Sequence, residues 1–228
     1  MSTKLERKLY QLRVKVTDKC LVKQRRKQIN NDDFTIIANN CWGGFVYQRY
    51  GLPYLTPTVG LYFFADDFIK LAFNLEDYMT KPLEFIPYTE SKYKAEFERR
   101  MHTHIPIARL GDIEVAFLHY KTQEEAAQKW KRRVARINYN NLIFKFGKQY
   151  NCTADHLLAF DSLACQKKIC FVPPEEVSLI KCGIAVKSFA GKSWCDDVRE
   201  YARYINLTNV INSKFVCGSQ MSDEIKVD

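Results

Sequence analysis

Residues 34–60 read FTIIANNCWGGFVYQRYGLPYLTPTVG, and within this stretch a strand, a lone thiol and a helix start follow one another in a few positions. Phe34, Thr35, Ile36, Ile37 and Ala38 form a short apolar, β-branched run between Asp32-Asp33 and Asn39-Asn40, the pattern of a buried strand. Gly43 and Gly44 remove two side chains where the backbone must turn or approach a neighbour closely. Phe45, Val46 and Tyr47 then lead into a short helix that Gly51 and Pro53 stop. A thiol between a strand end and a helix start would have backbone N–H groups and a helix dipole beside it, and both lower a cysteine pKa. Cys41 is therefore a candidate nucleophile, and small apolar filler is the competing use of the same residue.

Working outward, residues 59–64 (VGLYFF) predict a second strand, after which Asp66 or Asp67 would cap a helix carrying Phe68, Leu71, Ala72, Leu75 and Tyr78. Residues 80–87 read as a turn or an extended edge marked by Pro82 and Pro87, and residues 90–100 as a polar surface helix. His102 and His104 follow in a loop, without the further ligands at suitable spacing that a metal would need. Beyond the turn at Leu110-Gly111-Asp112, residues 113–118 predict a strand that ends at His119. Thr122 and Glu125 fit a capping box, so a helix starts at about Gln123. Its expected buried stripe is Ala126, Ala127, Trp130, Val134 and Ile137, with Lys129, Arg132, Arg133 and Arg136 off it. Further strands are expected at 140–146, 168–172 and 183–189, with helices at 153–160 and 194–204 and a frayed polar tail from Ser213. Alternating strands and helices predict one α/β domain with a mixed or mostly parallel sheet, its core at 34–205. Residues 1–31 would form one or two basic amphipathic helices whose apolar side (Leu5, Leu9, Leu12, Val16, Leu21, Val22 and Ile29) packs on the core or lies on an acidic membrane surface, packing being the usual fate of such a stripe.

The chain has 228 residues, of which 46% are hydrophobic and 27% charged, enough for a sizeable core. With no run of about 18 apolar residues and no secretory leader pattern, a cytoplasmic location is expected. The eight cysteines stand singly, without a C-x-x-C pair, and so read as reduced thiols with no metal site. The sequons at Asn151 and Asn206 carry little meaning without secretion. The formal charge of +9 is concentrated at 4–27 and 129–136 and suits an anionic partner such as a phosphorylated or lipid-linked sugar, or an acidic membrane face. Neither G-x-G-x-x-G nor a P-loop is present and no nucleic-acid motif matches, so no cofactor and no specific nucleic acid are expected.

Cys41 and His119, each between a strand end and a helix start, are the pair that a thiol nucleophile needs, and in an open α/β sheet ligands gather at the carboxyl ends of the strands. Asn39, Asn40, Asp161 and Asn140 are candidates for the group that orients the histidine. His156 is a rival base, inside a helical stretch where a packing role is the ordinary one. Asn39, Cys41, Gly43 and His119 are expected to line one cleft. Backbone amides at Gly43 and Gly44, with Arg132, Arg133 and Arg136, would hold a phosphate.

The segments NNCWGG (39–44), His119-Tyr120 and KWKRRVARIN (129–138), within residues 34–172, resemble a bacterial family often labelled exopolysaccharide biosynthesis protein. That likeness implies an α/β fold and a role in making surface polysaccharide, capsule or lipopolysaccharide. A weaker similarity, carried by Cys41, His119 and Arg132, Arg133 and Arg136, is to a papain-like cysteine peptidase family. The leading expectation is a sugar or glycan-modifying transferase. A Cys–His hydrolase or acyltransferase, and a non-catalytic protein docking on membrane or on a glycosyltransferase, are its rivals.

Overall fold

The computed structural model of the protein describes Leu9, Leu12, Val16, residues 20–195, Asp197 and residues 201–217. Strand β1 (Thr35–Ala38) is buried along its whole length and pairs in parallel with β5 (Leu142–Gly147). Next to β5 runs β6 (Lys167–Val172), which pairs with β7 (Gly183–Ala185) near its carboxyl end and with β8 (Val216–Cys217) near its amino end, all in parallel. Alternation along the strands sends Ile37, Phe144, Phe146, Cys170 and Val172 to one face and Ile36, Ala38, Ile143, Ile169 and Phe171 to the other. Both faces are covered, as the near-continuous apolar strands of a parallel sheet require.

On the first face lie α2 (Ala65–Phe73) and α6 (Ala154–Ser162), where Phe68 stacks on Phe146 with ring centroids 5.3 Å apart. A small antiparallel sheet of β2 (Glu84–Ile86), β3 (Ile107–Leu110) and β4 (Ile113–Ala116) joins this core and covers its outer side with Tyr62, Phe64 and Phe97, the last on α4 (Lys94–Arg99). Helix α3 (Leu75–Thr80) continues from α2, and α5 (Gln123–Val134) adds Ala126 and Trp130 to the same core. On the second face sit α1 (Trp42–Tyr50) and α7 (Leu207–Asn212), with Trp42 wedged edge-on to Tyr201. The protein is thus α/β, a parallel sheet flanked by helices with a smaller antiparallel sheet. Among the described residues no helix is long and apolar enough to cross a membrane.

Several local expectations change. Residues 59–64 are buried, but Val59 and Gly60 form a bend and the only described pairing of the stretch is a bridge between Tyr62 and Ala116. Neither Asp66 nor Asp67 caps α2: the N-cap is Phe64, and Asp67 is fully buried, accepting from the Glu114 N–H at 2.8 Å and from the Lys92 ammonium. The strand expected at 183–189 ends at Ala185 and a 3-10 turn follows at Lys187–Phe189, while α7 lies between the expected last helix and the tail, and β8 gives order to residues 216–217 of the tail expected from Ser213. Of the helix expected at 194–204, residues 196 and 198–200 lie outside the described residues, and Tyr201–Arg203 is a 3-10 turn. The N-terminal apolar side does not pack as a whole: Leu9, Leu12 and Val16 are more than half exposed, and it is Val22, on the helical stretch 20–26, that sits over Gly51.

Candidate site at the carboxyl edge of the sheet

β1 is an edge strand, and its free side is closed by side chains. Thr58 Oγ1 bridges the Ile36 C=O and the Ala38 N–H, and the Tyr47 hydroxyl accepts from the Ile36 N–H at 3.1 Å. The segment that carries Thr58 is itself clamped from the far side. Tyr120 Oη donates to the Val59 C=O, Arg133 Nη1 donates both to that carbonyl and to Tyr120 Oη, and the Gly60 C=O accepts from the His119 N–H at 2.9 Å. Gly60 has φ of +77°, and an added Cβ would lie 3.1 Å from the Tyr120 ring, so both backbone and space ask for glycine here.

Past the end of β1 the two asparagines are consumed by the scaffold. Asn39 is fully buried, and its amide donates to the Gly147 C=O at 3.0 Å and accepts from the Gly147 N–H at 3.1 Å, prolonging the β1–β5 pairing by one residue. Asn40 Oδ1 accepts from the Trp42 N–H at 3.1 Å, which starts α1, and from Lys145 Nζ at 3.0 Å. Its Nδ2 donates to Asp197 Oδ1 at 2.9 Å and to Gln149 Oε1 at 3.2 Å. Lys145 and Asp197 are each fully buried and form an ion pair with one another. The result is a buried polar cluster at the carboxyl ends of β1 and β5, roofed by Gln149 and Tyr150.

Cys41 sits on this cluster as the N-cap of α1, half-buried, with Sγ donating to the Leu61 C=O at 3.7 Å. The thiol makes no capping hydrogen bond to the helix N–H groups. Burial pushes its pKa up to about 11, against the opposing pull of the Gly60 backbone and the Lys145 charge. The expected lowering by the helix start is therefore overturned: desolvation outweighs the nearby positive ends. His119 is exposed, and its backbone holds the same Gly60–Leu61 segment on which the thiol rests. Beyond β5, Tyr150 and Asn151 have φ of +54° and +65°, a left-handed conformation that asparagine adopts more readily than other residues with a Cβ and that is unusual for a tyrosine. Tyr150 is held there by stacking on Tyr62 at 4.4 Å, with the Arg100 guanidinium 4.8 Å from its ring centroid.

The remaining sequence candidates are dispersed. An added Cβ on Gly43 would lie 3.2 Å from Ile36 Cγ2 and one on Gly44 3.1 Å from Val59, so both glycines serve close helix packing, and the Gly44 N–H is taken by the Cys41 C=O. Both are buried in that packing. Trp130 is buried as expected, but Arg133 shares its buried side, which corrects the expected stripe: the guanidinium lies 5.0 Å from the Tyr54 ring centroid and is spent on Tyr120 and Val59. Arg132 is exposed, and Arg136 donates to the Tyr54 C=O at 3.3 Å, so the three arginines form no phosphate cradle. Asp161, at the far end of α6, accepts from the Cys182 N–H at 2.8 Å, and Asn140 precedes β5; both belong to the amino edge, away from Cys41. Desolvation raises the Asp161 pKa, but hydrogen bonds from the Cys182 and Lys181 backbone bring it below its ordinary value. His156 closes the start of α6, with Nδ1 accepting from the Thr153 N–H at 3.1 Å and Nε2 2.8 Å from Asp66. A cavity of about 650 Å³ also opens at the amino edge, lined by Phe73, Tyr139, Asn140, Leu142 and Cys165 among others.

Sequence reasoning missed Lys145, Asp197, Gln149 and Tyr150. The signal for Lys145 was present, a single cation inside the apolar run LIFKF. Asp197 gave none, because it reaches the site from a loop more than 150 residues away from Asn40 in the chain.

The structure defines an α/β protein with a parallel sheet, a preorganised polar cluster at the carboxyl edge and, beside it, a Tyr–Arg clamp on residues 59–61. The chain belongs to the family described as a domain of unknown function (DUF1919), whose model matches residues 13–216. It is also similar to an uncharacterized protein of Haemophilus influenzae, 28% identical over 177 residues that cover 78% of this chain and 79% of that protein.

Proposed function

We propose that the protein is an enzyme of bacterial surface-glycan assembly, a transferase acting on a sugar carried on a nucleotide or lipid phosphate, with its centre at the carboxyl edge beside Cys41. The observation that carries this reading is the buried Lys145–Asp197–Asn40–Gln149 cluster next to the positive-φ residues Tyr150 and Asn151. A buried ion pair adds little stability for its desolvation, so its position at the ligand-binding edge of a parallel sheet points to use. Arg100, beside the Tyr150 ring, is the cation this reading assigns to the phosphate, in place of the dispersed arginines of α5. The pathway rests on the resemblance of NNCWGG, His119-Tyr120 and KWKRRVARIN to exopolysaccharide proteins, and the expected cytoplasmic location fits a nucleotide-linked donor.

A second reading, a Cys–His hydrolase or acyltransferase, is favoured by one observation: Cys41 and His119 both rest on Gly60–Leu61. There His119 would take the thiol proton as sulfur attacks a carbonyl, and the high thiol pKa speaks against a resting thiolate.

Calorimetric titration of the full-length protein with a panel of nucleotide sugars tests the first reading. Saturable binding that Tyr150→Ala weakens, with an unchanged fold, is expected. Absence of binding across the panel, together with unaltered surface polysaccharide in a strain lacking the gene, would overturn it. Ester hydrolysis abolished by Cys41→Ser and by His119→Ala would install the second.

A further inference from the structure

Three described positions near the N-terminus, Leu9, Leu12 and Val16, are helical and 58%, 60% and 55% exposed. Cys20 is also helical and exposed, and Leu21 is 38% exposed. Spacings of three and four place Leu9, Leu12, Val16 and Cys20 on one side of a helix. In a soluble core such a row is where the helix would be covered, yet here it faces outward, while Val22 and Arg26 anchor the following turn on Gly51. The Asn30 N–H donates to Asn212 Oδ1 and Asn212 Nδ2 donates to the Gln28 C=O, each at 2.8 Å, and so tie the end of the segment to α7. The helical stretch 20–26 is thus fixed to the body, and the described apolar residues before it, Leu9, Leu12 and Val16, stand open.

Charge says what covers it. The first 27 residues hold ten lysines and arginines against Glu6 and Asp18, a net of eight out of the chain's formal +9. An apolar row on a strongly basic helix fits the interface of a bilayer with anionic headgroups, where the row enters the acyl boundary and the cations meet the lipid phosphates. A second copy of this chain would bring eight like charges against eight and lose the Coulomb attraction that a lipid surface supplies.

We infer that the exposed row Leu9, Leu12, Val16 and Cys20, in the basic N-terminal stretch of the sequence, is a peripheral docking surface for an anionic membrane. This inference stands apart from the reading of the carboxyl-edge site, since a protein with any activity could be held on a bilayer in this way. It would place the enzyme beside substrates carried on lipid if that reading holds.

Flotation of the full-length protein with vesicles tests it. Vesicles of phosphatidylcholine mixed with phosphatidylglycerol are expected to carry the protein, those of phosphatidylcholine alone are not, and added salt should release it as screening shortens the reach of the charges. Leu9→Ser/Leu12→Ser/Val16→Ser and, separately, Lys15→Glu/Lys19→Glu should each weaken binding by roughly tenfold or more. Phe215→Ser, at an apolar residue 72% exposed elsewhere, should leave it unchanged. Leu9, Leu12, Val16 and Phe215 are all more than half exposed, and circular dichroism checks that every variant folds. Equal binding to neutral vesicles, no binding to either, or loss of a dimer in the Leu9/Leu12/Val16 variant without any vesicle effect would each overturn the inference. The titrations with nucleotide sugars are read without lipid, so failure of one proposal is distinguishable from failure of the other.

Discussion

At the carboxyl ends of β1 and β5 the polar groups are buried and bonded to one another, Lys145 to Asp197 and both to Asn40. At the amino ends of the same strands the chain leaves a cavity of about 650 Å³ whose described wall mixes Phe73, Leu142 and Phe144 with exposed Asn140 and Tyr139. This cavity and the more organised chemistry therefore lie at opposite ends of one sheet. Volume alone identifies a place where something fits. Fixed charges, satisfied amides and held positive-φ residues identify a place where the chain has spent stability on geometry. On that ground the carboxyl edge is the candidate centre and the amino-edge cavity is a gap between α3 and the strand starts.

The comparison is sharpened most by the thiol. With its pKa at about 11, Cys41 is protonated at neutral pH, so its alkylation by iodoacetamide should rise about tenfold per pH unit from pH 7 towards 10 and lag that of exposed Cys20 at pH 7. Mass spectrometry of limited labelling follows both. Cys41 labelled first at pH 7 and slowed by His119→Ala would break the assignment and revive the Cys–His mechanism. The same shift fixes a sign for stability: a thiol pKa raised from 9 favours the folded state below pH 9, and that contribution is lost as pH rises through 11. Melts recorded over that window should fall, and fall less for Cys41→Ser.

Breaking the cluster comes next in size. Lys145→Met leaves the Asp197 carboxylate buried without its cation and should cost about 3–5 kcal/mol in urea unfolding, part of which Lys145→Met/Asp197→Asn recovers. An effect below about 1 kcal/mol would mean that water reaches the pair, and the edge is not organised as described. Smaller still is Gly44→Ala. Helix propensity favours alanine by up to about 1 kcal/mol, while the 3.1 Å approach to Val59 costs about 1–3 kcal/mol, so a net loss of about 1 kcal/mol is expected. A gain in melting temperature would show that the Val59 segment yields. At the opposite edge Asn140→Ala should stay within about 0.5 kcal/mol and leave Cys41 labelling unchanged; a change in that labelling would couple the two edges and undo their separation.

The segments that resemble the exopolysaccharide family come together in space, although not for the reasons their residues suggested. Tyr120 and Arg133 secure the Val59 carbonyl, Gly44 packs against Val59 and Cys41 donates to Leu61, so the motifs are read out as a clamp on residues 59–61. The chemistry beside the clamp comes from residues that stood alone in the sequence.

Periodicity and end signals by themselves determined the α/β class, the strand before Cys41, the helix opened by Thr122 and the burial of Trp130, because each depends on neighbours within a turn or two of chain. Arg133 shows the limit: its spacing set it off the apolar stripe, and only the tertiary arrangement of Tyr54, Val59 and Tyr120 turned it inward. The fate of Cys41 was decided in the same way. Local sequence supplies a helix start, which lowers a thiol pKa, but desolvation is set by everything packed around the sulfur, including Leu61 from a separate segment. The pairing of Lys145 with Asp197 likewise exists only once the sheet has brought residues from distant parts of the chain into a space without water, where an ion has no partner except the one the fold provides.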